Sequence, residues 1–100
     1  MEEKYKKKLI NQVKMVVRTE FPDFDFGEWG EKEFDCFINL AEEVCSAGGF
    51  FCDKFGFLWL VISVLYQAES VRIGEENLRE VYFSTSEYYW NKFEVGVKSL

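Results

Sequence analysis

Apolar residues recur every three or four positions along most of the chain, which is the spacing of one face of a helix. The first such pattern covers residues 3–20, where charged residues fill the positions between the apolar ones. We therefore predict an amphipathic helix over 3–20. Its end is predicted at Phe21-Pro22, because proline pushes the residue before it out of the helical region.

A second amphipathic helix is predicted over residues 31–47. Gly48-Gly49 predicts its end, since glycine readily adopts the left-handed conformation that closes a helix. Between the first two helices, residues 23–30 read Asp-Phe-Asp-Phe-Gly-Glu-Trp-Gly. This composition predicts a loop, and its alternation leaves a short extended strand as the alternative.

The third pattern is apolar on all sides. From residue 55 to residue 66 only Gly56 and Ser63 interrupt the apolar residues. Such a helix is either a buried central helix or a membrane span, and the run is shorter than the roughly 20 residues needed to cross a bilayer. We therefore predict a buried helix over 54–70 with Asp53 as its N-cap, the alternatives being a membrane span or a buried strand.

A fourth helix is predicted over residues 75–90. The alternating residues 93–97 could pair with 71–73 as a minor two-stranded element. The predicted fold is mainly α: one helical domain spanning 1–100, a compact bundle of about four helices around a buried third helix.

The composition adds an excess of aromatic residues. The 100 residues include 11 Phe, 5 Tyr and 3 Trp, which is more than a core of this size needs. Some rings are therefore expected to be exposed or to be covered by a partner. The net charge of −6 argues against nonspecific binding to nucleic acid or to an anionic membrane, and favours a basic protein partner.

Several kinds of catalytic site are excluded by the residue types present. The chain has no histidine, so it has neither a Ser-His-Asp nor a Cys-His nucleophilic pair, and no glycine-rich phosphate loop occurs. Cys36, Cys45 and Cys52 contain no CxxC pair, which favours reduced thiols in a cytoplasmic protein, with a Cys45–Cys52 bridge as the alternative. No signal peptide is visible. We expect no enzyme activity and no cofactor.

One segment has some features of a calcium-binding loop. Asp23 and Asp25 occupy its first and third places. However, Phe34 stands at the twelfth place, where a bidentate glutamate belongs, and Gly27 comes one residue early. We therefore predict no metal site.

Charge is distributed unevenly along the chain. Residues 1–18 carry a net charge of +4, whereas residues 20–43 hold nine acidic residues and one lysine, a net charge of −8. Acidic side chains steer a basic partner, and aromatic side chains near them supply the buried contact. The partner-binding site is accordingly predicted at Asp23, Phe24, Asp25, Phe26, Glu28, Trp29, Glu31, Asp35, Glu42 and Glu43.

Two structural alternatives compete with this site. The rings of Phe24, Phe26 and Trp29 could fold back as a lid on the bundle instead of facing a partner. The basic first helix could be a solvated face or an amphipathic membrane-surface helix. It could also complement the acidic stretch in the same molecule or in a second copy, and the second copy would favour a homodimer.

The leading functional hypothesis is a small inhibitor, of the immunity-protein or anti-defence kind, that blocks a basic nuclease or another nucleic-acid-handling enzyme. A structural or regulatory subunit that homo-oligomerises through an aromatic surface is the main alternative. A small enzyme using paired carboxylates and a membrane-associated protein are the others.

Overall fold

The computed structural model describes residues 2–49 and 54–98, and these residues contain four α-helices and no strand. A single 3₁₀ turn, Phe26–Glu28, lies between the first two helices. The predicted helical bundle is confirmed. The helices are α1 (Glu3–Glu20), α2 (Glu31–Gly48), α3 (Lys54–Arg72) and α4 (Glu76–Lys98).

The minor two-stranded element is a wrong prediction. Residues 71 and 72 complete α3, and residues 93–97 lie within α4, which continues eight residues beyond the predicted end. The physical reason is the burial of Phe93, which continues at helical spacing the inward face formed by Tyr82, Ser86 and Tyr89. Asp53, predicted as an N-cap, and Cys52 lie outside the described residues.

The first two helices end where the sequence predicts. Gly49 follows α2 with φ of +65°, and its N–H donates to the Ser46 carbonyl at 3.3 Å. This left-handed conformation is the one that glycine adopts without steric cost. At the end of α1, the Phe21 N–H still donates to the Val17 carbonyl at 2.7 Å, after which Pro22 turns the chain away.

The centre of the fold is α3, which contacts the three other helices and packs most extensively against α4. Its one buried hydroxyl in the middle of the apolar run, that of Ser63, donates to the Ser86 carbonyl of α4 at 2.8 Å. The buried Ser63 hydroxyl therefore has a hydrogen-bond acceptor within the apolar core. The buried apolar residues of α3 are Leu58, Leu60, Val61, Ile62, Leu65 and Tyr66.

No helix in the described part of the chain is both long enough and apolar enough to cross a lipid bilayer. The apolar run of α3 is covered by the other helices instead.

Truncating α3 in the centre of the bundle should destabilise the fold strongly. Leu60 is 0% exposed, so Leu60→Ala removes buried contacts and leaves a cavity, and we expect it to lower the free energy of unfolding by about 2–5 kcal/mol. Urea denaturation followed by circular dichroism measures this change.

The matched control is Leu40→Ala on the outer side of α2, where the leucine is 49% exposed. It should change the free energy of unfolding by about 0.5 kcal/mol. Equal losses from the two variants would contradict the central position of α3.

Candidate protein-binding surface

The aromatic residues of the segment between α1 and α2 face the core. Phe24, Phe26 and Trp29, here called the aromatic lid, are half-buried and pack against the hydrophobic core. The ring of Phe24 lies 4.7 Å from that of Phe26 and 5.9 Å from that of Tyr82 in α4. The structure therefore shows the arrangement that the lid alternative describes, and these rings cover the bundle.

The 3₁₀ turn directs the rings of the aromatic lid towards the core. The Asp25 carboxylate accepts a hydrogen bond from the Gly27 N–H at 2.8 Å, and the Trp29 N–H donates to the Phe26 carbonyl at 2.9 Å. A Cβ atom on residue 27 would lie 2.9 Å from the Asp25 carboxylate oxygen, so a larger residue there would displace the Asp25 side chain from this hydrogen bond. The predicted loop thus contains a 3₁₀ turn and no extended strand, and Asp25 stabilises the turn.

A buried carboxylate fixes the aromatic lid to the end of α3. Glu69 is 3% exposed, and its Oε2 accepts a hydrogen bond from the Trp29 indole N–H at 3.0 Å. Arg72 donates to the same carboxylate through Nε at 3.1 Å, and its guanidinium also lies 5.7 Å from the centre of the Trp29 ring. A buried carboxylate is tolerable because it is both paired and hydrogen-bonded.

Two basic residues of α1 cover the same lid. Lys14 Nζ lies 5.9 Å from the centre of the Phe26 ring and 5.5 Å from that of Phe34, and the Arg18 guanidinium lies 5.1 Å from the Phe26 ring. These are cation–π distances. Part of the basic charge of α1 is therefore held against aromatic rings of the same molecule.

A third basic residue of α1 pairs with a predicted site residue. Lys6 Nζ lies 2.5 Å from Asp35 Oδ1 and 3.9 Å from Glu3 Oε2. The hydrogen bond to Asp35 raises the pKa of the Lys6 ammonium above its ordinary value. Asp35 therefore pairs with a basic residue of α1 in the same molecule, which is one of the alternatives given above for the basic first helix.

The remaining carboxylates of the predicted site lie on the surface. Asp23, Asp25 and Glu31 are exposed near the lid, and Glu42 and Glu43 are exposed on the outer side of α2. The side chain of Glu28 is outside the described residues. The structure therefore separates the two halves of the predicted site: the acids face solvent and the aromatic rings face the core.

Sequence reasoning missed an exposed apolar row on α4. Val81, Tyr88 and Val95 are 45%, 53% and 66% exposed. The predicted fourth helix, residues 75–90, ends before Val95 and so omits one end of this row. Spacing alone does not separate this row from the buried one, because Tyr82 and Tyr89 are also seven residues apart.

A shallow groove of about 590 Å³ lies between the end of α3 and α4, and Glu80 and Ser84 are among the residues that line it. It is bordered by the exposed Val71 at the end of α3 and by Phe83 of α4. The Arg79 guanidinium at its edge donates to the Ile73 carbonyl at 3.2 Å, which links the start of α4 to the preceding turn. The groove contains no convergent set of acids.

A tyrosine cluster joins α1, α3 and α4 behind the lid. The rings of Tyr66 and Tyr89 lie 5.9 Å apart, and the Tyr66 hydroxyl donates to Glu20 Oε1 at 2.9 Å. Burial raises the pKa of both tyrosines well above the ordinary value, and the nearby Glu20 carboxylate raises it further.

Within residues 2–49 and 54–98, no group of three or more acidic or cysteine side chains is placed to hold a metal ion. Comparison of the chain with protein-family models, with curated proteins and with solved structures finds no significant match. The function therefore has to be argued from the surface itself.

The coupling between Trp29 and Glu69 can be measured with a double-mutant cycle. Trp29→Phe keeps an aromatic ring and removes the indole donor, and Glu69→Gln removes the negative charge. Since hydrogen bonds to charged groups contribute about 1.5–3 kcal/mol, we expect a coupling free energy of about 1–3 kcal/mol from urea denaturation of the four proteins. Additive effects of the two substitutions would show that the hydrogen bond does not hold the lid.

The stability of the fold should decrease in alkaline solution. Because the folded-state pKa values of Tyr66 and Tyr89 are raised above about 10, the ordinary value, their stabilising contribution is complete below pH 10 and is lost as the pH rises further. The expected slope is about 1.4 kcal/mol per pH unit for each tyrosine that ionises only in the unfolded chain. Urea denaturation between neutral and alkaline pH measures it.

Tyr66→Phe provides the control for this pH dependence. It removes one titrating group while keeping the ring in the core, so the alkaline slope should become shallower. An unchanged slope would show that Tyr66 ionises equally in the folded and unfolded states.

Proposed function

We propose that this protein is a non-catalytic binding protein for a basic protein partner, and that it acts in the cytoplasm by blocking a basic nuclease or another nucleic-acid-handling enzyme. The observation that supports the proposal is the exposure of carboxylates along residues 23–43 while the aromatic rings of the same stretch are turned inwards. The acids that remain available for a partner are Asp23, Glu31, Glu42 and Glu43.

This arrangement suits electrostatic steering. Exposed like charges on one side of a small protein attract a partner of opposite charge and raise the rate of association. A row of carboxylates also presents to a basic groove the kind of charge that nucleic-acid phosphates present. Occupation of that groove would block the partner by competition with its nucleic acid.

The aromatic lid has a supporting role in this proposal. Phe24, Phe26 and Trp29 hold the backbone that carries Asp23 and Glu31, so the acids are presented from a segment fixed to the core. A site on a fixed segment loses less conformational entropy on binding than a site on a mobile loop. In this proposal the exposed acids contact the partner, and the three rings lie between these acids and the core.

Affinity capture from a lysate at low and high salt, followed by measurement with the purified partner, tests the proposal. We expect a basic nucleic-acid enzyme that is retained at low salt and weakened at high salt. Glu42→Lys combined with Glu43→Lys should lower the association rate constant about tenfold at low salt, because steering acts on the encounter. Stopped-flow or surface-based kinetics measure the rate.

The control is Glu2→Lys combined with Glu3→Lys, which changes the net charge equally at the exposed start of α1. An equal loss in this control would mean that net charge alone, and not the α2 surface, sets the rate. Recovery of only further copies of the chain, in a salt-resistant assembly, would favour the structural-subunit alternative instead.

A further inference from the structure

The outer side of α4 carries an apolar row that the core does not use. Val81, Tyr88 and Val95 are seven residues apart, and residues at this spacing form a row that drifts only about 20° per heptad around a straight helix. They are all substantially exposed. The face of α4 that packs on α3 is formed by a different set, Tyr82, Ser86, Tyr89 and Phe93.

An acidic row runs beside the apolar one. Glu80 and Glu87 are also seven residues apart and exposed, and Glu76 extends their row by one turn towards the start of the helix. None of the three forms an ion pair with a described residue. Their carboxylates are therefore available to a basic partner.

Small polar residues separate the two rows. Asn77, Ser84 and Asn91 are exposed and again stand seven residues apart, between the acidic row and the apolar row. Short side chains at the middle of a helix face allow another helix to approach closely. The apolar row extends over 15 residues of α4, from Val81 to Val95, which corresponds to roughly 20 Å, and the acidic row runs beside its first half.

We propose that this face of α4 binds an amphipathic, basic helix of a partner protein. The apolar side of that helix would pack on Val81, Tyr88 and Val95, and lysine or arginine residues along one of its flanks would face Glu80 and Glu87. Helices recognise amphipathic helices through apolar anchors at spacings of three, four and seven residues, with flanking charges setting the choice of partner. The inference goes beyond the α2 acids, because it uses another face of the molecule.

Charge complementarity favours such a partner over a second copy of the chain. In a two-fold antiparallel pair of α4 helices, each row would face the same row of the other copy, so Glu80 and Glu87 would meet like charges. In a parallel pair the acidic row would face the apolar row. A basic amphipathic helix can place apolar side chains against the apolar row and basic side chains against the acidic row at the same time.

Among the described side chains beside the apolar row, Lys92 is basic. Lys92 Nζ lies 4.1 Å from the centre of the Trp59 ring and 5.5 Å from that of Tyr88. Its ammonium is thus held against aromatic rings on the side of the apolar row that faces away from the acids. The acidic flank keeps its negative charge.

The test uses a fluorescently labelled synthetic helix of about three heptads, with leucine at the core positions and lysine along one flank. A matched peptide carries glutamate in place of those lysines. Fluorescence anisotropy with the full chain should show binding of the lysine peptide and at least about tenfold weaker binding of the glutamate peptide.

Variants of the full chain locate the binding face. Binding of the lysine peptide should be about tenfold weaker in each of three variants: Tyr88→Ala, Val81→Ser, and the double variant Glu80→Lys with Glu87→Lys. Glu2→Lys combined with Glu3→Lys changes the net charge by the same amount at the exposed start of α1, and should change binding by less than about twofold. Circular dichroism and the urea midpoint verify that each variant is folded.

Three outcomes would overturn the inference. Wild-type affinity in the α4 variants would place the peptide elsewhere, and equal weakening by the α1 and α4 charge reversals would show that only net charge attracts it. Sedimentation equilibrium that reveals a dimer dissociated by Tyr88→Ala would assign the face to a second copy. The α2 charge reversal tests the proposed function separately, so the two proposals can fail independently.

Discussion

Burial of α3 is the constraint on which the rest of the structure depends. A helix that is apolar on all sides must be enclosed, and in the described part of this 100-residue chain the three other helices and the segment between α1 and α2 pack around it. Each of them contributes an apolar side to the contact and leaves its charged side in solvent. The distribution of charge on the surface is therefore a consequence of how α3 is covered.

The aromatic lid completes this enclosure at one end of the bundle. The rings of Phe24, Phe26 and Trp29 pack against the core from the segment between α1 and α2. This packing includes a polar connection, because the indole N–H of the half-buried Trp29 needs an acceptor. Glu69 provides that acceptor, and Arg72 compensates the charge of Glu69.

Two surfaces follow from this packing. On one side, the stretch that supplies the lid keeps its carboxylates outside, and α1 neutralises Asp35 and places cations on the lid. On the other side, α4 packs along α3 with one face and is long enough to display a second ordered face of apolar and acidic rows. Both surfaces are acidic, so both suit a basic protein, and the second one adds apolar anchors.

The sequence by itself determined where the four helices lie and where α1 and α2 end, because the three-to-four-residue spacing, Pro22 and Gly49 act locally. It did not determine the end of α4, which continues eight residues further because Phe93 is buried in the core. It also determined that α3 is central, since a helix apolar on all sides must be enclosed. It left open whether Phe24, Phe26 and Trp29 lie inside or outside, because aromatic rings near acids suit both a lid and a binding site. Only the tertiary structure decided this, through Glu69, which lies 40 residues from Trp29 in the chain and accepts the hydrogen bond of its half-buried indole.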